Sequence, residues 1–287
     1  MPLVTTREIV EQARAAGRGA GAFNVISLEH AEAIVAGAES AALPVILQIS
    51  ENAVRFHHGH PRPIAFAAAA VAETATVPVS LHLDHVEAER LLHQAADAGF
   101  SSVMYDASKR DYADNVAATR AAANWAHAHD LWLEAELGEV GGKDGAHAPG
   151  VRTDPDEAAN YVRETNVDAL AVAVGSSHAM TDQTAQLDHD LIAALRAAVP
   201  VPLVLHGSSG VADDELRRAV TQGIVKINVG TILNIAYTRA VRDTLHTQPD
   251  LVDPRKYLNP ARDQITVVVQ RILTALDPAT SDPRDRR

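Results

Sequence analysis

The sequence predicts an α/β fold, a TIM (β/α)8 barrel, on three observations. Eight short Val/Ile/Leu-rich runs recur along the chain, longer Ala/Glu/Arg-rich segments separate them, and 287 residues slightly exceed the usual length of one barrel. The runs are GAFNV (21–25), PVILQIS (44–50), PVSLHLD (78–84), SVMYD (102–106), LWLEAEL (131–137), ALAVAVG (169–175), PLVLHG (202–207) and IVKINVG (224–230). An open, doubly wound sheet is the architectural alternative. The barrel is expected to fill residues 1–275 as one domain, with the polar, Pro-containing segment 276–287 fraying as a tail.

The intervening segments carry helix-start chemistry. Thr5 and Glu8 have capping-box spacing, while Asp154, Pro155 and Glu157 combine an N-cap, a proline at the first helical position and an acid three residues after the cap. Composition bounds the function. A formal charge of −12, with no Lys/Arg-rich run, argues against a nucleic-acid or anionic-membrane partner and favours a small-molecule substrate. Without cysteine, any metal must be held by nitrogen and oxygen, which turns attention to the 14 histidines. The N-terminal segment has no basic start followed by an apolar stretch, and no run approaches the roughly 18 apolar residues of a membrane span. A cytoplasmic location is expected.

Nearly every predicted strand ends in a polar residue: Asn24, Ser50, Asp84 with His85, Asp106, Glu136, His178 just beyond the sixth strand, His206 and Asn228. Barrel enzymes build their active sites at that end, so the recurrence is a functional signal that no single residue supplies. His85, His178 and His206 follow three separate strands, and imidazoles so placed can converge on one ion while leaving a fourth position open. His57, His58 and His60 form a denser group but read as a solvated stretch. His82 shares a strand face with Asp84 and is expected to line the site. Asp84 and His85 are neighbours and would point to opposite sides of a regular strand, so both reach one site only if the strand has ended and the chain is turning. Asp84 then fits either a proton carrier or the cap of the following helix.

The Gly-rich, acidic loop 136–151 reads either as a mobile lid, with Glu139 and Asp144 as its acids, or as a plain surface loop. HGSSG (206–210) and NVGT (228–231) place glycines and hydroxyls after strands seven and eight, where barrels form phosphate sites from backbone amides and a helix N-terminus.

AFNVISLEHAEAI, LHLDH, SVMYDAS, LEAELGEVGG, DALAVAVGSSH, PLVLHGSSG, KINVGT and DPRKYL (253–258) occur in this order. Together they resemble the class II, zinc-dependent ketose-bisphosphate aldolases, which include fructose- and tagatose-bisphosphate aldolases. The resemblance implies a barrel, in agreement with the strand count, and zinc on His85, His178 and His206, with Asp106 and Glu136 near a secondary metal position. It implies Asp84 as the acid exchanging a proton with the C4 hydroxyl, Asp144 as the loop acid that protonates the enediolate carbon, and Asn228 as the residue orienting that intermediate. Gly207, Ser208, Ser209, Gly210, Gly230 and Thr231 are implied around the dihydroxyacetone phosphate group, with Asn24 and Ser50 lining the site. Arg255 resembles an arginine that reaches a phosphate in a neighbouring subunit, which implies a homo-oligomer, a dimer or tetramer. Three departures bear on specificity. SKRDYADN (108–115) stands where many relatives read SHLPFEEN, Ser208 replaces a usual glycine in a loop that can also hold a monovalent cation (Na+ or K+), and Ala179 replaces a frequent glycine. An aldolase of another phosphorylated keto-sugar or keto-acid, of the inositol-catabolism type, is therefore the alternative. A zinc hydrolase on the same barrel and a non-catalytic binding barrel are the rival functions.

Overall fold

A computed structural model describes residues 2–137, 152–176 and 183–278. Eight parallel strands close on themselves in chain order: β1 Ala20–Asn24, β2 Val45–Ser50, β3 Val79–Val86, β4 Ser102–Tyr105, β5 Trp132–Glu136, β6 Ala169–Ala171, β7 Leu203–Leu205 and β8 Ile224–Val229. This is the TIM barrel that the alternation predicts, and each strand lies within or next to its aliphatic run. Closure comes from β1 pairing with β8, Ala22 beside Asn228.

The helices are α1 Thr6–Ala16, α2 Leu28–Ala41, α3 Glu51–Phe56, α4 Pro61–Glu73, α5 Glu89–Leu92, α6 Tyr112–Ala128, α7 Pro155–Thr165, α8 His189–Ala198, α9 Asp213–Gln222, α10 Thr231–Thr247 and α11 Pro254–Ala275. The capping box forms, with Thr5 accepting from the Glu8 amide and Glu8 from the Thr5 amide. Asp154 caps α7 by accepting from the amides of Asp156 and Glu157, with Pro155 in the first turn. At the C-terminal end, Leu276, placed at the head of the expected tail, is fully buried and its carbonyl accepts from the Gly19 amide at 2.8 Å.

Two apolar cores follow from this arrangement. The larger lies between the sheet and the helices. The smaller fills the N-terminal half of the barrel interior, where Ile9, Val10 and Ala13 of α1 plug the bottom against Ala22, Ile46, Met104, Trp132, Ala171 and Val204. Burying these side chains removes their apolar area from water at about 25 cal/mol per Å². Above that plug the interior turns polar. In-register neighbours Asn24, Gln48 and His82 cross β1, β2 and β3, and one step further Ser50 pairs with Asp84. Apart from the buried hydroxyls of Thr6, Ser80 and Ser102, which bond to one another beside the plug, the interior polar side chains named here gather toward the C-terminal mouth.

Candidate active site

Asp84 and His85 come together by a route that differs from the expected one. The strand does not end at Asp84 but continues to Val86, and its pairing with β4 slips between Leu83 and Val86. His85 sits at φ 48°, in the left-handed region. Such a backbone costs a non-glycine residue about 1–2 kcal/mol, and the resulting bulge re-aims the side chain. Ligand atoms of Asp84, His85 and His206 consequently lie within 4.8 Å of one another. The helix-cap alternative for Asp84 is excluded by what takes those amides: Glu51 Oε2 accepts from Glu87 N at 2.8 Å and Ala88 N at 3.2 Å.

Carboxylates fix both imidazoles. Asp106 Oδ2 lies 2.9 Å from His85 Nδ1, and Glu134 Oε1 lies 2.8 Å from His206 Nε2. A carboxylate accepts, so each of those ring nitrogens carries the proton; Asn228 Nδ2 also lies 3.0 Å from His206 Nε2, but the shorter, charge-assisted bond to Glu134 sets the tautomer. In the neutral rings the lone pairs then sit on His85 Nε2 and His206 Nδ1, which face each other at 3.1 Å. Two converging lone pairs require a cation between them, a proton or a metal ion. The surrounding charge favours one. Burial opposes charge on His85, but Asp84, the hydrogen bond to Asp106 and the field of Glu136 outweigh it and push its pKa up to about 10. Burial likewise opposes ionisation of Asp84, yet His85 and the neighbouring His82 and His206 hold its carboxyl well below the usual carboxylate range. Asp84 is therefore an ionised acceptor. A second group able to hold a metal joins His85, Asp106 and Glu136.

Beneath these residues lies a layer that the sequence reading did not single out. Glu134 and Lys226 are fully buried and pair at 2.8 Å. Lys226 Nζ also donates to Asn228 Oδ1 at 2.7 Å and to Gln48 Oε1 at 3.4 Å. Gln48 in turn donates to Asn24 Oδ1 at 2.8 Å and Asp84 Oδ2 at 3.0 Å. His82 is wholly buried, its Nδ1 2.8 Å from Ser102 Oγ and its Nε2 3.8 Å from Asp84 Oδ1. Burial and the field of Lys226 lower its pKa, so it is neutral. Spacing held a signal for this layer, since Glu134 and Glu136, and likewise Lys226 and Asn228, stand two apart and so share a strand face.

The loops after β7 and β8 interlock. Gly207 adopts φ 66°, which starts a 3-10 turn over Ser208–Gly210. The Ser209 hydroxyl accepts from the Ile232 amide at 3.1 Å, tying this turn to the first turn of α10, which Gly230 and Thr231 open. Gly230 packs so close to Asn24 that a Cβ there would lie 3.1 Å from Asn24 Nδ2. Ser50 caps α3, its hydroxyl accepting from Ala53 N at 3.2 Å. Arg255 stands apart: it is exposed at the start of α11, and its described hydrogen bonds go to Asp253. His178, Glu139, Asp144 and Ala179 lie outside the described residues.

Comparison with known proteins shows the family. A sequence profile described as Fructose-bisphosphate aldolase class-II matches residues 4–280. The chain belongs to this family. As a class II aldolase relative it is 40% identical over 272 residues to the probable fructose-bisphosphate aldolase of Bacillus subtilis, covering 94% of this chain and 95% of that one. It is 39% identical to the fructose-bisphosphate aldolase of Geobacillus stearothermophilus, with the same coverage. Among solved structures, the YdjI aldolase from Escherichia coli K12 superposes with a TM-score of 0.82 at 30% identity, covering 97% of this chain and 100% of that one. Class II aldolases are metal-dependent lyases, and the residue groups described above could hold such an ion.

Two departures from the class II pattern acquire a structural meaning. The Ser208 hydroxyl turns inward and donates to Asn228 O at 2.5 Å, so the added side chain braces the two loops against each other. At the head of the altered segment Ser108, the serine that both patterns share, donates through its amide and hydroxyl to Asp106 Oδ1, at 3.1 and 2.6 Å, and so helps to fix the carboxylate that orients His85. Lys109 pairs with Glu87 at 2.6 Å and Arg110 donates to Tyr105 Oη at 3.3 Å, which puts two cations on the rim beside β3 and β4. No helix among the described residues is long and apolar enough to cross a membrane.

Proposed function

We propose that this protein is a zinc-dependent aldolase that reversibly cleaves a ketose bisphosphate of the fructose or tagatose type to dihydroxyacetone phosphate and an aldehyde such as glyceraldehyde 3-phosphate. The observation that carries the proposal is the pair of carboxylate-oriented imidazoles whose lone pairs face each other at 3.1 Å. Neutral nitrogens held by acids one shell out are the donor set that Zn2+ takes. His85 and His206 would hold the ion with His178 as third ligand, and Asp106 and Glu136 would serve a secondary position. When bound, the zinc supplies Lewis-acid polarisation of the ketose carbonyl.

The chain's own residues perform the remaining steps. Asp84, ionised within the site, accepts the C4 hydroxyl proton as the bond from C3 to C4 breaks, and returns it in the condensation direction. The Asn228 amide donates to the ketose fragment as negative charge develops there. Asp144 exchanges the proton at C3. The loops at Gly207, Ser208, Ser209, Gly210, Gly230 and Thr231 offer backbone amides and hydroxyls to the phosphate on C1, and a monovalent cation (Na+ or K+) would join them there. Asn24 and Ser50 line the substrate, and Arg255 reaches a phosphate in a neighbouring subunit of a cytoplasmic homo-oligomer.

Lys109 and Arg110 favour a second reading, a different anionic group on the aldehyde half, as in a phosphorylated keto-acid. A panel of substrates tests both: triose-phosphate release from fructose 1,6-bisphosphate, from tagatose 1,6-bisphosphate and from phosphorylated keto-acids. Release from a bisphosphate supports the first reading, release from a keto-acid alone supports the second, and zinc-dependent ester hydrolysis without carbon-carbon cleavage would contradict both. Asp106→Ala is expected to weaken zinc binding about 10- to 100-fold by freeing the His85 ring, as measured by competition with a chelating dye.

A further inference from the structure

We propose that Lys226, at the barrel axis, is a positioning residue that sets the amide orientation of Asn228 and Gln48 and thereby aims two N–H donors at Asp84. An ammonium has three donors and no acceptor, so only oxygens can face it. Lys226 meets three oxygens, Glu134 Oε2 at 2.8 Å, Asn228 Oδ1 at 2.7 Å and Gln48 Oε1 at 3.4 Å, in a fully buried setting where water cannot substitute. With both amide oxygens turned to the lysine, both NH2 groups must point up to the mouth. Gln48 Nε2 donates to Asp84 Oδ2 at 3.0 Å and Asn228 Nδ2 to Asp84 Oδ1 at 3.5 Å, one amide on each carboxylate oxygen, while Gln48 Nε2 also donates to Asn24 Oδ1 at 2.8 Å and Asn228 Nδ2 also lies 3.0 Å from His206 Nε2.

The two flips of an amide are nearly isosteric, so packing alone does not choose between them. A neutral side chain at position 226 would let either amide invert and turn its carbonyl against the Asp84 carboxylate. Glu134 completes the device. It compensates the buried ammonium with one oxygen and orients His206 with the other, so a single carboxylate couples the amide clamp to the His206 tautomer. The mechanism assigned to Asp84 and Asn228 does not itself require a lysine beneath them. The inference rests on that mechanism for its effect on rate but not for its effect on orientation.

The test uses the full-length protein with Lys226→Met combined with Glu134→Gln, so that no uncompensated charge is left in the barrel. The expected result is a fall in kcat of about 100-fold relative to the Glu134→Gln single variant, since the reacting groups are present but misaligned. Both proteins are assayed at saturating zinc, because Glu134→Gln by itself loosens the hold on His206. Asn228→Ala is expected to cost much less in that background than in wild type, as residues acting in one unit do not add. The second readout needs no catalysis: in the metal-free protein, NMR should find the Asn228 and Gln48 side-chain amide protons protected from exchange, and the double variant should lose that protection while still melting cooperatively. Gln48→Leu, which keeps Lys226 and its ion pair, serves if the double variant does not fold: a smaller fall in kcat with Asn228 protection retained is expected, because Lys226 still holds Asn228 Oδ1, and loss of that protection while the lysine is in place would overturn the proposal. In the double variant, unchanged protection, or kcat within about threefold of wild type while Asp84→Ala is inactive, would overturn the positioning role. Near-normal cleavage by Asp84→Ala would instead overturn the proposed mechanism, leaving amide protection to decide the orientation.

Discussion

Asp84→Ala is expected to lower kcat for ketose-bisphosphate cleavage about 10²- to 10⁴-fold while the protein keeps its zinc and its fold. The zinc is kept because the imidazoles are oriented by Asp106 and Glu134, not by Asp84. The rate falls because Asp84 is the ionised group beside them that can take the C4 hydroxyl proton. The loss should appear chiefly in kcat, since the phosphate loops after β7 and β8 do not depend on this residue. Steady-state kinetics and metal analysis on one preparation check both parts. A fall in activity that tracks loss of zinc would instead give Asp84 a structural or ligand role.

His206→Ala has the other large expected effect: loss of stoichiometric zinc and of measurable cleavage together. Removing a partner one shell out from a metal costs about 10- to 100-fold in affinity, and removing a ligand nitrogen costs more. The variant also leaves Glu134 Oε1 without its imidazole donor, although Lys226 still compensates the carboxylate charge. A modest drop in melting temperature should therefore accompany the loss of metal. Full zinc occupancy in His206→Ala would remove this residue from the ligand set.

The barrel was legible because alternation is a one-dimensional signal: an aliphatic strand is recognisable from its own residues, and eight of them in order allow closure. The strand ends were legible for a related reason, since Asp84, Asp106, Glu136, His206 and Asn228 each break an apolar run just where a mouth should open. The His85 bulge was not, because it depends on how β3 and β4 register, and nothing within LHLDHV reports that slip. The lysine layer was hidden for the same kind of reason. Within IVKINV, Lys226 looks like a single interruption, and only closure of β8 onto β1, with β2 and β5 across the interior, brings it to Gln48 and Glu134. Buried charges become interpretable only with their partners, because an unpaired one could not persist there.

The central claim is that carboxylate-fixed histidines hold a catalytic zinc. It is tested most directly by measuring metal per chain by mass spectrometry alongside triose-phosphate release, before chelation, after it, and after zinc is restored. The account predicts zinc near one per chain, release that disappears with the metal, and recovery when zinc returns. Cleavage that persists in fully metal-free protein would contradict it.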